Sequence, residues 1–457
     1  MKVYTHPTHD QLLVKSAERK IQNCINAYEI KNLILEPIKK NNLWRGQECL
    51  NMVAADAPTT PIVRSLLSSE IGCRGTGGHI GRMNRCFAGM KYIDEIESLC
   101  IALLKKVFRC QYTDHRLMGG MAACHAVYTS LAQPGDAIMS VPPSHGGDSS
   151  NRKNGPPGAR GLHVFDIPFF ADDIVVDMEK FEKMAKIIRP KIVNIGLTMS
   201  LFAIPIQEMK KIIEPWGGKL FFDAAHQAGL IAAGLYQDPL TEGADVMSGS
   251  AGKTFSGPQS GLLLWNDNEL TEKISETIFP TLTGSHQANR VAALAMASAE
   301  FLYYGYPYMQ QTVKNAQALG KALEEEGIQV FGSHRNFTQT HQIMIHVKDF
   351  GGGHNVAQTL EKSNIIASKM SLPSDGNADI FNPSGLRLGT IEMTRYGMQE
   401  SDMKVVAHFI SRLLKNNECS QKVKNDVIEF RKSFQTIYYG FENKLPPFMK
   451  NTAQIHA

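Results

Sequence analysis

The chain has 457 residues, 43% hydrophobic and 20% charged, enough apolar material for two or three structural units sharing one architecture. Its 48 basic and 44 acidic residues leave a net charge of +4. That near balance, with no basic run longer than pairs such as Lys39–Lys40, speaks against nucleic-acid and membrane-surface binding.

The opening MKVYTHPTHDQ lacks the basic-then-apolar pattern of a secretory signal, and no apolar stretch is long enough to span a bilayer. A soluble, cytoplasmic protein is expected. Residues 1–50 read as a helical arm, because 9–40 carries apolar residues at helical spacing between charges, with room for one break. Another helix is predicted over 92–109, with acids in its first turn and bases in its last. Cysteines stand at Cys24, Cys49, Cys73, Cys86, Cys100, Cys110, Cys124 and Cys419, with no C-x-x-C pair. Free thiols are expected, and no metal site.

From 110 to 265 short apolar runs alternate with helical stretches such as 176–188 and 206–215. DAIMSVP, HVFDIPF, KIVNIGL, KLFFD and GLLLW each read as a buried strand, which implies βαβ crossovers and a largely parallel sheet covered on both faces. Residues 286–325 look helical. Beyond them strands (IQVFGS, QIMIHV, GLRLGT) mix with helices (NVAQTLEKS, ESDMKVVAHFISRLL), predicting a smaller α/β domain. The expected division is an arm over 1–50, a large domain over 51–300 and a small domain over 301–457.

The chemistry concentrates in 219–264. A hydrophobic strand ends at Asp223, His226 follows, and thirty residues on Lys253 sits among small residues in S-A-G-K-T. Strand ends of a parallel sheet face the crevice where ligands bind. There an Asp can pair with a pyridinium nitrogen, and a Lys of lowered pKa can form a Schiff base with pyridoxal phosphate. Either residue alone is more often a helix cap or a surface lysine; the pair, in order, points to the cofactor.

DAAHQAGLIAAG followed by GKTFSGPQSGLLL resembles the serine hydroxymethyltransferase pattern. ECLNMVAADAPTTP, KYIDEIE, TIFPTLTGSHQANRVAALA and PSGLRLGTIEMTRYGM extend the resemblance over most of the chain. FTQTHQ and MTRYGMQESDM are closest to the L-threonine transaldolase branch. The resemblance implies pyridoxal-phosphate fold type I, with a mainly parallel seven-stranded sheet in the large domain and a smaller C-terminal α/β domain. It also implies a homodimer with shared active sites. Lys253 would carry the cofactor, Asp223 pair with its ring nitrogen, and His226 lie by its phenolic oxygen. Gly119, Gly120 and Met121, just before a helical run, would offer N–H groups to the phosphate, with Ser250 beside them. Thr198 matches a serine near the cofactor. Thr283 and Gly284 match a loop that reaches a neighbouring subunit's phosphate. Arg387 would grip the substrate carboxylate.

Departures are equally informative. In SHGGDSS, His145 matches the first histidine of an H-G-G-H element, but Asp148 stands where the second would lie flat on the cofactor ring. The serine-glutamate-asparagine turn reads Ala55–Asp56–Ala57, which puts Asp56 on the substrate side. GCRGTGGHIGRMNRCFAG replaces a segment that supplies tyrosines and an acid/base glutamate; His79 is its candidate proton-transfer group. Met370 stands where a folate-contacting asparagine is expected, so tetrahydrofolate is not expected as a cofactor.

The reading is therefore Cα chemistry on an amino acid through an external aldimine and quinonoid. The expected reaction is folate-independent aldol or transaldol transfer on a β-hydroxy-α-amino acid, with an aldehyde as co-substrate in the transaldol case, in specialised metabolism. Decarboxylation, racemisation or O₂-dependent oxidation on the same scaffold is the alternative, and a catalytically silent binding protein the third reading.

Overall fold

The computed structural model describes residues 11–171, 173–375 and 381–449; the segment read for a secretory signal lies almost wholly outside them. Seven short strands build the main sheet: β1 (Tyr112–Asp114), β2 (Ala137–Ser140), β3 (His163–Asp166), β4 (Ile192–Gly196), β5 (Lys219–Asp223), β6 (Val246–Ser250) and β7 (Gly261–Trp265). Their order is β1-β7-β6-β5-β4-β2-β3. β7 runs antiparallel to both β1 and β6, and the remaining pairs are parallel. Every residue of β4, β6 and β7 is buried, as expected where helices cover both faces. β3 forms an edge and is largely exposed. The fold is thus the expected α/β class with a seven-stranded, mostly parallel sheet.

β1 and β6 were not apparent in the sequence. β1 is three residues long, and VMSGS offers only two large apolar side chains. IQVFGS, expected as a strand, contributes only an isolated bridge from Val330 to Ile345. Gly332, at φ +76, turns the chain there instead.

The smaller sheet is antiparallel: β8 (Gln342–His346), β9 (Ser368–Met370) and β10 (Gly385–Gly389), in the order β9-β10-β8. Leu50–Asn51 pairs in parallel with Ile365–Ile366, and Leu50 and Met52 pack in the core of this C-terminal unit. The expected boundary at 300 falls inside one helix, Ala288–Glu325, whose first half packs on the large sheet's core and whose second half packs on the small unit.

The N-terminal arm is two helices, Gln11–Gln22 and Ala27–Leu43, the second capped by the Asn26 side chain. Neither has a buried residue, and Ile25, Tyr28, Ile34 and Ile38 are exposed. No described helix is long and apolar enough to cross a membrane. All eight cysteines are free thiols.

Candidate active site

Gly196, Asp223 and Ser250 end β4, β5 and β6 on one edge of the sheet, where open α/β sheets hold their ligands. A cavity of about 360 Å³ opens there. Its lining brings together Gly120, Met121, Asp148, Thr198, Asp223, His226, Ser250, Lys253 and Arg387.

Asp223 is held by four donors. Ser248 Oγ (2.9 Å) and Ala225 N (3.1 Å) give to Oδ1, and Asn151 Nδ2 (2.8 Å) and Cys124 Sγ (3.4 Å) give to Oδ2. Asn151 is itself fixed, accepting from the Tyr128 hydroxyl at 2.9 Å. Gly196 makes room for this cluster: a Cβ there would stand 2.8 Å from Asn151 Nδ2 and 2.9 Å from Asp223 Cβ. A carboxylate so fully donated to is held in one orientation.

Lys253 lies in the turn after β6, with Nζ 3.3 Å from His226 Nε2. Burial pushes the Lys253 ammonium below its ordinary range; Asp223 opposes that, and Arg387 adds to it. His226 is held well below the usual imidazole range, first by burial and then by Lys253 and Arg387, so its ring is neutral near pH 7. Its ring stacks on His341 at 6.1 Å and 14°. His341 Nε2 meets the Ala54 carbonyl at 3.1 Å, bracing the chain beside Ala55, which lines the cavity.

Arg387 projects from β10 of the small unit into this cavity of the large one. Its Nη1 donates to Thr198 O at 2.7 Å, but its buried Nε has no partner. Among the described residues no carboxylate lies within ion-pair distance of it. Burial lowers it to about 10, opposed by Asp148 and Asp56, so it remains a cation at neutral pH. A buried guanidinium with an unmet N–H is a site prepared for an anion.

His145 turns away from the cavity. It stacks on Phe169 at 4.9 Å and 28°, and its Nε2 meets the Phe170 carbonyl at 3.1 Å. Asp148 lines the cavity instead, its Oδ1 accepting from Ser150 N (2.9 Å) and the Ser150 hydroxyl. Gly119 is the N-cap of the helix Gly120–Leu131, just behind Gly120. Asp56 sits beside the cavity and pairs with Arg45 at 3.0 Å.

Thr283, Gly284 and His79 are not among the residues that line this cavity. His79 lines a separate cavity of about 270 Å³, its Nδ1 3.3 Å from Arg116 Nη1 and its ring edge-on to Phe279. Burial, then Arg116, hold its imidazole below the usual range. The His79 segment is tied to the 283–286 loop: Thr76 N donates to Ser285 Oγ at 3.2 Å, and Thr76 Oγ1 to His286 O at 2.5 Å. Beneath them Glu97 accepts from Arg85 (2.7 Å), His286 (2.8 Å) and His115 (3.2 Å). These Glu97, His115 and His286 donor atoms lie within 4.8 Å of one another. Arg85 Nη2 donates to the same Glu97 oxygen as His286, so a positive charge already meets this carboxylate.

Sequence reading missed Asn151, Ser248, Cys124 and His341. Only His341 left a trace, inside FTQTHQ, where it was noted as a likeness without a role.

The sequence profile of the serine hydroxymethyltransferase family matches residues 29–410. The serine hydroxymethyltransferase of Methanopyrus kandleri is 40% identical over 408 residues, covering 89% of this chain and 94% of that protein. That of Pyrococcus furiosus is 39% identical over 423 residues, covering 92% and 98%. Among solved structures, L-threonine transaldolase from Pseudomonas fluorescens superposes with a TM-score of 0.83 at 24% identity, covering 96% of this chain and 100% of that one. The latter establishes the fold.

Proposed function

Because the chain belongs to the serine hydroxymethyltransferase family, and so is a pyridoxal-phosphate-dependent transferase of fold type I, we propose that it catalyses a folate-independent aldol or transaldol transfer on a β-hydroxy-α-amino acid. The observation that carries this reading is the meeting, in one cavity, of a deprotonation-prone Lys253, a four-donor Asp223 and an Arg387 with an unmet N–H. The departures in the 74–87 segment and at Met370 favour the folate-independent version.

The residues present fit the cofactor. Asp223 would take the ring N–H, Gly120, Met121 and Ser250 the phosphate, and Lys253 the aldehyde carbon. When bound, pyridoxal phosphate supplies an electron sink for the bond broken at Cα. Arg387 anchors the amino-acid carboxylate and thereby orients Cα. His226, neutral and 3.3 Å from Lys253 Nζ, can exchange a proton with the lysine amine as it leaves and returns. Thr198, with its carbonyl on Arg387, fixes the anchor's direction.

The unburied arm helices, and a Lys253 cavity whose lining does not include Thr283 or Gly284, support a homodimer with shared sites. In that arrangement His79 serves as a proton-transfer group for the neighbouring site.

The test is aldehyde release from L-threonine by the cofactor-loaded protein without any pterin. Acetaldehyde should appear, a supplied aromatic aldehyde should be taken up into a new β-hydroxy amino acid, and Lys253→Ala should do neither. A second reading, hydroxymethyl transfer from serine to a tetrahydropterin, is favoured by the 40% identity to the Methanopyrus enzyme. Turnover that strictly requires the pterin would select it and overturn the first. Release of carbon dioxide, the D-enantiomer or hydrogen peroxide would mark a diverged outcome.

A further inference from the structure

Two acids line the cavity, and only one has donors on both of its oxygens. Asp223 is saturated by protein donors on both oxygens and faces the position of the ring nitrogen. Asp148 has Oδ1 fixed by Ser150, while no described residue donates to Oδ2. The loop that presents it has little freedom: Gly146 sits at φ +87, and a Cβ there would stand 2.8 Å from Met199 N.

The charges of the working site can be assigned in turn. The ligand's α-carboxylate goes to Arg387, whose guanidinium is the cation Asp148 feels in the empty pocket. The α-amine exchanges with Lys253. Asp223 keeps the ring nitrogen. Asp148 is then a half-buried acid whose Oδ2 has no donor among the described residues, an acceptor that a cationic group can meet. Its position matters as much. It stands where the family resemblance expects an aromatic ring on the cofactor, and its shorter side chain would leave room in the cavity for a substrate side chain.

We propose that Asp148 recognises a positively charged side chain, so that this pocket prefers, over threonine, a β-hydroxy-α-amino acid that carries an ammonium or guanidinium group beyond Cβ. This rests on the reading of the site as a pyridoxal-phosphate pocket with Arg387 as carboxylate anchor, and it adds the substrate class.

The test compares L-arginine with L-citrulline, which has nearly the same shape and a neutral urea in place of the guanidinium. Calorimetric titration of the cofactor-loaded protein should give arginine the tighter binding by about tenfold or more, the worth of one charge-assisted hydrogen bond. In Asp148→Asn the ratio should fall to about one, with cofactor content and melting midpoint unchanged. Equal binding of the two by the native protein, failure of both to bind, or a ratio that survives Asp148→Asn would overturn the proposal. Repeating the titration with Lys253→Ala separates it from the reaction: a charge preference that persists while no aldehyde is released by the native enzyme would sink the aldol reading and leave this one standing.

Discussion

At the scale of single residues, burial lowers both Lys253 and Arg387 but with opposite consequences. The amine of Lys253 starts from a range near 10, so burial moves it toward the neutral nucleophile that Schiff-base chemistry needs. Arg387, brought down to about 10, keeps its charge at pH 7. The same pocket therefore holds an amine that can attack and a cation that attracts an anion. Replacing Arg387 by Ala should weaken amino-acid binding by about 3 kcal/mol, or roughly a hundredfold in KM, with a smaller change in kcat. Arg387→Lys should recover part of the loss, because a point charge remains without the fork. An unchanged KM in Arg387→Ala would place the carboxylate elsewhere. Asp223 and Lys253 were legible because a strand end and a run of small residues leave a local signature, and Arg387 was legible only through the family resemblance. Asn151, Ser248 and Cys124 act through contacts 25 to 99 positions away, and no spacing in the chain encodes such a meeting.

At the scale of elements, the segment 74–87 and the 283–286 loop are one assembly hung on Glu97 of the helix Lys91–Phe108. Burial alone would raise the Glu97 carboxyl, but the Nε2 donors of His115 and His286 outweigh it and hold it far below the usual carboxylate range. His286 is itself lowered by burial, so it acts as a neutral donor near pH 7. Glu97→Ala would leave Arg85 buried without this partner and strip both histidines of their acceptor. The expected cost is about 3 kcal/mol or more, read as a lower urea midpoint at pH 7 with the slope retained. Because the folded pKa is depressed, this contribution is fully present above the unfolded value of about 4.3 and is lost as pH falls below it. The gap between native and variant should therefore narrow under acid; a gap that widens there would contradict the assignment. The sequence showed this helix by its period but not its role, since one buried glutamate on an amphipathic face looks like any other. IQVFGS and VMSGS teach the same point about strands. The apolar run is turned aside by Gly332, while the small, polar run is buried at the sheet's centre by its neighbours β5 and β7.

At the scale of the molecule, the cavity exists because two units meet. The large sheet supplies Asp223 and Lys253, and the small sheet swings Arg387 in from β10 to the Thr198 carbonyl. Leu50–Asn51 ties the start of the large unit to the small one through Ile365–Ile366, and Asn51 Nδ2 donates to buried Glu392 at 2.6 Å. The alternation of strands and helices made the α/β class readable from the chain alone. The division of the units was not readable, because the helix Ala288–Glu325 runs through both and a stripe of apolar residues does not say which core it faces. What unites these levels is the identity of the cofactor-bearing side chain. The most direct measurement is borohydride reduction of the pyridoxal-phosphate-loaded protein, followed by proteolysis and mass mapping of the phosphopyridoxyl group. The expected result is a single labelled peptide containing Lys253, absent from Lys253→Ala. A label on any other lysine, or none at all, would contradict the site described above.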